Sequence, residues 1–199
     1  MKYVKGLIIL LFLFICLSTY SNPVGAIFIP QNQFDDVEFL MTTSILDSAG
    51  LTYYVFSEKD DTCFGRSGYK ILPFTVMDSV EDYPLDFLIL NGGIGTYYYA
   101  DNLRLREIIK RADSEKKIIV ASNFAPILFM KDSMLQGRSI NFVRNKITED
   151  LEKKYKFKYL PGPVIVSENL ITSPSSEFVR LYLNEFLKKY YETFSSESE

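Results

Sequence analysis

The chain has 199 residues, with 22 basic and 25 acidic side chains and a formal net charge of −3. Apolar residues make up 47% and charged residues 24%, which is typical of one globular domain and excludes a disordered or collagen-like chain. The slight acidity predicts no nucleic-acid-binding surface. Because the chain contains no histidine, Ser-His and Cys-His catalytic pairs, histidine metal ligands and a histidine pH switch are all excluded.

Residues 1–21 have the pattern of a secretory leader. Lys2 and Lys5 precede an apolar run at Leu7–Leu17. As a helix this run would rise only about 16 Å, too short for a hydrocarbon core of about 30 Å. A positive start, a short apolar stretch and small residues at Thr19 and Ser21 predict a signal peptide, and hence an exported protein in the cell envelope, periplasm or extracellular space.

Alternatives to cleavage stay open for this leader. Leu13–Cys16 resembles a bacterial lipobox, although Ile15 is bulkier than the residue expected before the cysteine. Lipid attachment at Cys16, or retention of the leader as an anchor, would associate the protein with a membrane through its N-terminal segment alone. If the leader is removed, Cys63 is the remaining cysteine, which excludes an intrachain disulfide. We expect Cys63 to be an exposed, oxidisable thiol in a polar loop.

Strands and helices alternate along the rest of the chain. In chain order, the pattern predicts a strand at Val24–Ile29, a helix at Phe34–Ala49, strands at Leu51–Phe56, Lys70–Val76 and Asp86–Leu90, a helix at Asn102–Ala112, a strand at Lys117–Ala121, a helix at Ala125–Met130, a strand at Ser139–Val143, a helix at Glu149–Tyr155, strands at Val164–Val166 and Leu170–Thr172, and a helix at Ser176–Tyr191.

This order predicts an α/β fold: a three-layer, flavodoxin-like sandwich with a mostly parallel central sheet, spanning residues 22–191 and followed by an acidic tail at 192–199. Sites in such sheets form beyond the carboxyl ends of the strands. The buried stripes are predicted from helical periodicity. They are Val37, Leu40, Met41 and Ile45 in the first long helix, and Phe178, Val179, Tyr182, Phe186 and Tyr190 in the last.

Three segments resemble one family. They are the start of the first helix at Phe34–Leu40, the strand and glycine pair at Asp86–Gly93, and the strand–turn–helix elbow at Ile119–Pro126. In this order and spacing they resemble the ThiJ/PfpI family, of the class I glutamine-amidotransferase-like superfamily. The resemblance extends over roughly residues 23–190 and implies that superfamily's sandwich fold and a homodimer.

The resemblance also implies a site. In the family, the elbow carries a cysteine nucleophile, a glutamate on the first helix contacts it, and the glycine-pair loop offers backbone N–H donors. Carried over by position, the glutamate is Glu38, the glycines are Gly92 and Gly93, and the nucleophile position is Asn123. With Phe124 these residues form the predicted ligand pocket.

The nucleophile itself is missing from that pattern. The lone pair of an amide nitrogen is delocalised, so Asn123 is no useful nucleophile, and the family's histidine position falls at about Val143. We therefore expect no covalent catalysis of the family's kind. Neighbouring Ser122 is a poor substitute, because side chains reverse direction at each step along a strand.

Structural roles are the alternative for each of these residues. Asp35 and Glu38 fit a capping box, with Phe34 and Phe39 as its hydrophobic staple. The glycine pair could simply turn the chain tightly after a buried strand; its functional alternative is an anion cradle of N–H groups. The structural role of Asn123 is to tolerate the strained backbone of the elbow; its functional role would be to orient a ligand or water by hydrogen bonding.

Two classes of function follow. The preferred one is a pseudoenzyme: an exported, non-catalytic protein that binds a small ligand or a protein partner at the degenerate pocket. The alternative is a hydrolase or lyase acting on a small polar substrate, with Glu38 as general acid or base. A third hypothesis is a lipid-anchored envelope subunit that acts mainly by assembly. No cofactor, metal ion or nucleic-acid partner is predicted.

Overall fold

The computed structural model describes residues 23–194, so the predicted leader and Cys16 lie outside the described residues. Strands are β1 Val24–Phe28, β2 Asn32–Phe34, β3 Thr52–Ser57, β4 Cys63–Gly65, β5 Lys70–Ile71, β6 Thr75–Val76, β7 Phe87–Leu90, β8 Ile118–Ser122, β9 Ser139–Ile140, β10 Lys158–Tyr159, β11 Ile165–Ser167 and β12 Leu170–Ser173. Helices are α1 Asp36–Ser48, α2 Leu103–Ser114, α3 Lys146–Tyr155 and α4 Val179–Phe194, with short 3-10 turns at Met77–Asp82, Ile94–Tyr99, Ala125–Leu128, Ser133–Leu135 and Ser176–Phe178.

The central sheet has seven strands in the order β11-β12-β8-β7-β1-β3-β6. All its pairings are parallel except β11 with β12, which forms an antiparallel edge. The predicted sandwich with a mostly parallel sheet is therefore confirmed. The order also brings the carboxyl ends of β1, β7, β8 and β12 side by side, where a site is expected in this class of sheet.

Each face of the sheet has its own core. Ile27, Ile89 and Val120 point to the face covered by α1 and α4. Their neighbours along the strands, such as Phe28 and Leu90, point to the face covered by α2. Because side chains alternate along a strand, runs such as Phe87–Leu90 are apolar at every position and are buried on both sides.

Helix α1 has the predicted N-cap, Asp35, but begins at Asp36 instead of Phe34 and buries a different face. Asp35 is its N-cap and accepts a hydrogen bond from the Glu38 N–H at 3.0 Å. The buried residues are Asp36, Glu38, Phe39, Thr42 and Leu46. The predicted apolar stripe is wrong in its first half, because Val37 is 57% and Leu40 43% exposed.

The last helix agrees with its predicted stripe. Val179, Tyr182, Phe186 and Tyr190 are buried in α4, and Phe178 packs against the same core. The helix continues to Phe194, so the first residues of the predicted acidic tail at 192–199 are helical.

Other differences have local causes. The predicted strand Lys70–Val76 is divided into β5 and β6 around Pro73, which has no N–H to donate to a sheet. The predicted helix Ala125–Met130 is a 3-10 turn at Ala125–Leu128. Strands β2 and β4, which form a small sheet with β5, have no counterpart among the predicted elements, since they are too short to show periodicity.

Candidate functional site

Three chain segments meet at the carboxyl edge of the sheet. The loop after β7 supplies Gly92, the elbow after β8 supplies Asn123, and the start of α1 supplies Asp35 and Glu38. One backbone hydrogen bond, from the Asp35 N–H to the Gly92 carbonyl at 3.0 Å, joins the start of α1 to the loop after β7, and another, from the Asn123 N–H to the Ser173 carbonyl at 2.9 Å, ties the elbow to the end of β12. Four of the five predicted site residues therefore belong to one cluster, namely Glu38, Gly92, Gly93 and Asn123.

The glycine pair packs too closely for side chains. A Cβ on Gly92 would lie 2.6 Å from the Cβ of Asn123 and 2.8 Å from Oε2 of Glu38. Gly93 has φ of +113°, and a Cβ there would lie 2.5 Å from the carbonyl oxygen of Gln33. The tight-turn role is thus confirmed. The Gly92 N–H, which the resemblance offers to a ligand, donates instead to Oε1 of Glu38 at 2.9 Å.

Glu38 is almost fully buried, with 1% of its surface exposed. Its carboxyl does not complete the predicted capping box, because it binds Gly92 and the Asp35 N–H is bound by a carbonyl. Burial raises the pKa of Glu38 from 4.5 to about 8, since the charged form loses its hydration. The nearby Ser122 hydroxyl and the Gly92 N–H bound to Oε1 oppose this rise, and the charge of Asp35 adds to it. Glu38 is therefore mostly a neutral carboxylic acid at pH 7.

Asn123 occupies a strained backbone position at the elbow, with φ of +56°. Asparagine is several times more frequent in this left-handed region than most other residues, so its structural interpretation stands. The side chain is half-buried. Its amide nitrogen donates to Oδ2 of Asp35 at 3.3 Å, while Oδ1 of Asp35 caps α1. One carboxylate therefore joins the elbow to the helix. Phe124 follows, half-buried, and starts the 3-10 turn.

Three buried hydroxyl groups complete the cluster and were missed by the sequence analysis. They belong to Thr42 on α1, Ser122 at the end of β8 and Tyr182 on α4, and all three residues are 1% exposed. Only a helical spacing of four between Glu38 and Thr42 and the adjacency of Ser122 to the elbow could have indicated them.

A cleft opens beside Asp35, on the solvent side of the cluster. It has a volume of about 440 Å³ and is lined by the apolar side chains of Val37 and Met41 together with charged and hydroxyl-bearing residues, among them Asp35, Arg66, Ser67, Ser176 and Glu177. The loop bearing Arg66 is held by Asp36, whose carboxylate accepts from the N–H groups of Ser67 at 2.7 Å and Tyr69 at 2.8 Å. Glu38 and Asn123 do not line this cleft directly; Asp35 connects them to it.

Cys63 is not the exposed thiol that was expected. It is fully buried at the start of β4, and burial raises the pKa of its thiol. Within residues 23–194, no group of three His, Cys, Asp or Glu side chains is placed to hold a metal ion. None of the helices in this same range is both long and apolar enough to cross a bilayer.

Comparison with known proteins identifies curated relatives. An uncharacterized protein of Methanocaldococcus jannaschii, MJ0967, is 29% identical over 165 residues, which cover 80% of this chain and 78% of that protein. A protein of Pyrococcus horikoshii named deglycase PH1704 is 24% identical over 162 residues, which cover 81% of this chain and 96% of the other.

Solved structures agree in fold. A ThiJ/PfpI domain protein from Brachyspira murdochii superposes with a TM-score of 0.73 at 19% identity, over 83% of this chain and 95% of the other. Drosophila melanogaster DJ-1beta gives a TM-score of 0.73 at 17% identity, over 85% and 90% of the two chains. The sequence model of the DJ-1/PfpI family matches residues 25–189. The chain therefore belongs to the DJ-1/PfpI family.

Proposed function

We propose that this protein is an exported, non-catalytic DJ-1/PfpI protein that binds a small polar ligand or a protein partner beside the elbow. The observation that carries the proposal is Asn123. It stands where the family resemblance implies a nucleophilic cysteine, and its amide is engaged with Asp35 at 3.3 Å. An amide bound in this way orients neighbouring groups but attacks no carbonyl carbon.

The rest of the chemistry supports binding over turnover. Within residues 23–194 the chain has one cysteine, Cys63, and it is fully buried at the start of β4. The Gly92 N–H donates to Glu38, so it is not directed at a ligand. What the site offers to solvent is the cleft of about 440 Å³ beside Asp35. Its mixture of Arg66 and acidic residues suits a small ligand that carries both a donor and an acidic group.

Turnover assays test this proposal. Because relatives are named deglycases, the full chain is assayed for glyoxal consumption and for hydrolysis of small amides and esters. We expect no turnover by the native protein, and at most a reactive thiol in Asn123→Cys. Hydrolysis or glyoxal consumption by the native protein that is lost in Asn123→Ala would contradict the proposal.

A binding screen tests the second part of the proposal, that the cleft binds a small ligand. The thermal midpoint of the native protein is measured with a panel of small zwitterions and carboxylic acids, and repeated with Arg66→Ala. Arg66→Ala should abolish the stabilisation given by any ligand of the cleft, whereas Lys146→Ala, an exposed change on α3, should leave it intact. Equal stabilisation of both variants would place the ligand elsewhere.

A second function rests on Glu38. Its pKa of about 8 lies near neutrality, where a carboxyl group exchanges protons most effectively as a general acid or base. A hydrolase or lyase that works without a covalent intermediate would then act on a small polar substrate. Such an enzyme should lose turnover in Glu38→Gln while still folding, and its rate should follow a group with a pKa near 8.

Export and a homodimeric state belong to the same proposal. The mass of the mature N-terminus distinguishes cleavage before Asn22 from lipid attachment at Cys16 and from a retained leader. Export predicts the first of these masses in the envelope or medium fraction. Analytical ultracentrifugation of the processed protein should give twice the chain mass, and a monomer at micromolar concentration would contradict the dimer.

A further inference from the structure

Four buried side-chain oxygens lie together behind the elbow. They are Oε2 of Glu38 and the hydroxyl oxygens of Thr42, Ser122 and Tyr182. Among the residues that the structure describes, none of these atoms has a well-aligned hydrogen-bond partner. Buried polar groups are almost always hydrogen-bonded, so four such atoms in one place require an explanation.

The fold brings the four groups together from three elements. Glu38 and Thr42 are four residues apart on α1 and so lie on the same face of the helix. Ser122 ends β8, with its side chain directed towards α1 and α4 and away from solvent. Tyr182 lies in the middle of the buried stripe of α4. Helices α1 and α4 cover the same face of the sheet, so their polar side chains meet there.

The groups affect one another electrostatically. The hydroxyls of Ser122 and Tyr182 both lie close enough to Glu38 to lower its pKa, with the larger effect from Ser122. Burial raises the pKa of Tyr182 well above its usual value, while the nearby hydroxyls of Ser122 and Thr42 oppose that rise. Asp35 is the charged group that acts on both Glu38 and Tyr182, and its negative charge raises both pKa values.

We propose that Ser122, Tyr182 and Thr42 are positioning residues that form one closed hydrogen-bond network with Oε2 of Glu38 and hold its carboxyl group against Gly92. Oε1 is already fixed by the Gly92 N–H at 2.9 Å. The network fixes the second oxygen and thereby the orientation of the whole group beside Asn123.

The donors and acceptors balance in both charge states of Glu38. When the carboxyl is neutral, Oε2 donates its proton to Ser122, whose hydroxyl donates to Tyr182; Tyr182 donates back to a lone pair of Oε2, and Thr42 donates to Tyr182. When the carboxyl is charged, Ser122 and Tyr182 both donate to Oε2, and Thr42 donates to Tyr182. Every hydroxyl proton has an acceptor in each case, so no buried donor is left without a partner.

This network links the site to α4. Tyr182 of α4 lies near Ser122 and Glu38, so the network would transmit a change in the packing of α4 to the Glu38 carboxyl through the hydroxyls of Ser122 and Tyr182. The inference is independent of any ligand and of the proposed function. It needs only the groups that surround Glu38 in the folded protein.

Titration of Glu38 in the ligand-free protein tests the network. Glutamate is labelled with ¹³C at the carboxyl carbon, and the resonance of Glu38 is assigned by its loss in Glu38→Gln. Because the hydroxyls stabilise the charged form, Ser122→Ala and Tyr182→Phe should each raise the pKa of Glu38 above that of the native protein. Ser122→Ala should have the larger effect, and Thr42→Val the smallest.

Tyr190→Phe is the matched control. Tyr190 is a buried tyrosine on the same helix that packs on Phe87 and Phe186, away from the four oxygens. Its substitution should leave the Glu38 titration unchanged, even if the protein loses stability. If Tyr182→Phe titrates like the native protein, the network is refuted. Tyr182→Phe removes one oxygen and keeps the ring, so its titration tests the network even if Ser122→Ala does not fold.

Discussion

The side-chain amide of Asn123 donates a hydrogen bond to Asp35 across 3.3 Å, and these two residues are 88 positions apart in the chain. The other carboxylate oxygen of Asp35 accepts from the Glu38 N–H at 3.0 Å. A single side chain therefore caps α1 and is hydrogen-bonded to the elbow. The geometry of the site depends on this shared carboxylate.

This sharing predicts an energetic coupling between the two residues. Asp35→Ala removes the N-cap and should lower the free energy of unfolding by about 0.5–2 kcal/mol. Asn123→Ala loses the same side-chain contact and adds backbone strain of about 1–2 kcal/mol at positive φ. The double variant should lose less than the sum, with an interaction energy of about 0.5–1.5 kcal/mol, as measured by urea unfolding at pH 7.

The N-cap of α2 supplies the control for that cycle. Asn102 accepts from the Leu105 N–H at 2.9 Å and has the same capping role without contact to the elbow. Asn102→Ala and Asn123→Ala should therefore be additive within about 0.5 kcal/mol. Equal coupling in both pairs would mean that the elbow is not specifically tied to Asp35.

The pKa of Glu38 predicts a pH dependence of stability. In the unfolded chain the carboxyl loses its proton near pH 4.5, whereas in the folded protein it keeps the proton to about pH 8. The contribution of the neutral carboxyl to the free energy of unfolding is fully present below pH 4.5, falls as pH rises, and is lost above pH 8. The loss should amount to about 3–5 kcal/mol of unfolding free energy.

Glu38→Gln isolates this effect, since glutamine does not titrate. The stability difference between native protein and Glu38→Gln, measured by urea unfolding from pH 5 to pH 9, should shift in favour of the variant as pH rises. Glu185→Gln, at an exposed position on α4, should retain the pH dependence of the native protein. Parallel curves for native protein and Glu38→Gln would show that Glu38 is not held neutral by the fold.

The contrast between the two faces of α1 shows what the sequence can predict. The central strands were found because runs of Val, Ile, Leu and Phe are distinctive, and Asp35 was found as a cap because its spacing is distinctive. The buried face of α1 was missed because it carries Glu38 and Thr42, while Val37 and Leu40 are exposed. Hydrophobic periodicity points away from a polar cluster that is buried in the core.

The site itself was only half predictable for a related reason. Family motifs locate Glu38, Gly92 and Asn123, because these residues lie at fixed distances from strand ends. Ser122 and Tyr182 have no motif, since a serine or tyrosine in a buried strand or helix looks like any other. Their role depends on a contact between β8 and α4 that only the folded chain reveals.

The close packing at Gly92 predicts a large cost for any side chain there. In Gly92→Ala the new methyl group would lie 2.6 Å from the Cβ of Asn123 and 2.8 Å from the Ser122 carbonyl oxygen. Because backbone atoms can be displaced only at a high energetic cost, we expect a loss of about 3 kcal/mol or more of unfolding free energy. The Glu38–Gly92 hydrogen bond should be weakened at the same time.

Gly137→Ala separates crowding from backbone strain. Gly137 has φ of +80°, but a Cβ there would meet no atom within 4 Å. This variant should lose only about 1–2 kcal/mol, from the positive φ alone. Urea unfolding of both variants measures the difference, and equal losses would show that the loop after β7 relaxes to accept a methyl group.

The burial of Cys63 predicts a slow thiol. Its side chain is fully enclosed, and burial raises the pKa of the thiol, so little thiolate forms and reagents reach it only when the structure opens. In Cys16→Ser, which leaves Cys63 as the single cysteine of the chain, alkylation by iodoacetamide at pH 7 should be at least about tenfold slower in the native than in the urea-unfolded protein. Adding Asn123→Cys to this variant should produce a second, faster phase, because the elbow is only half-buried. If Cys63 is alkylated as fast in the native as in the unfolded protein, it is an accessible thiol, and the protein then has a candidate nucleophile.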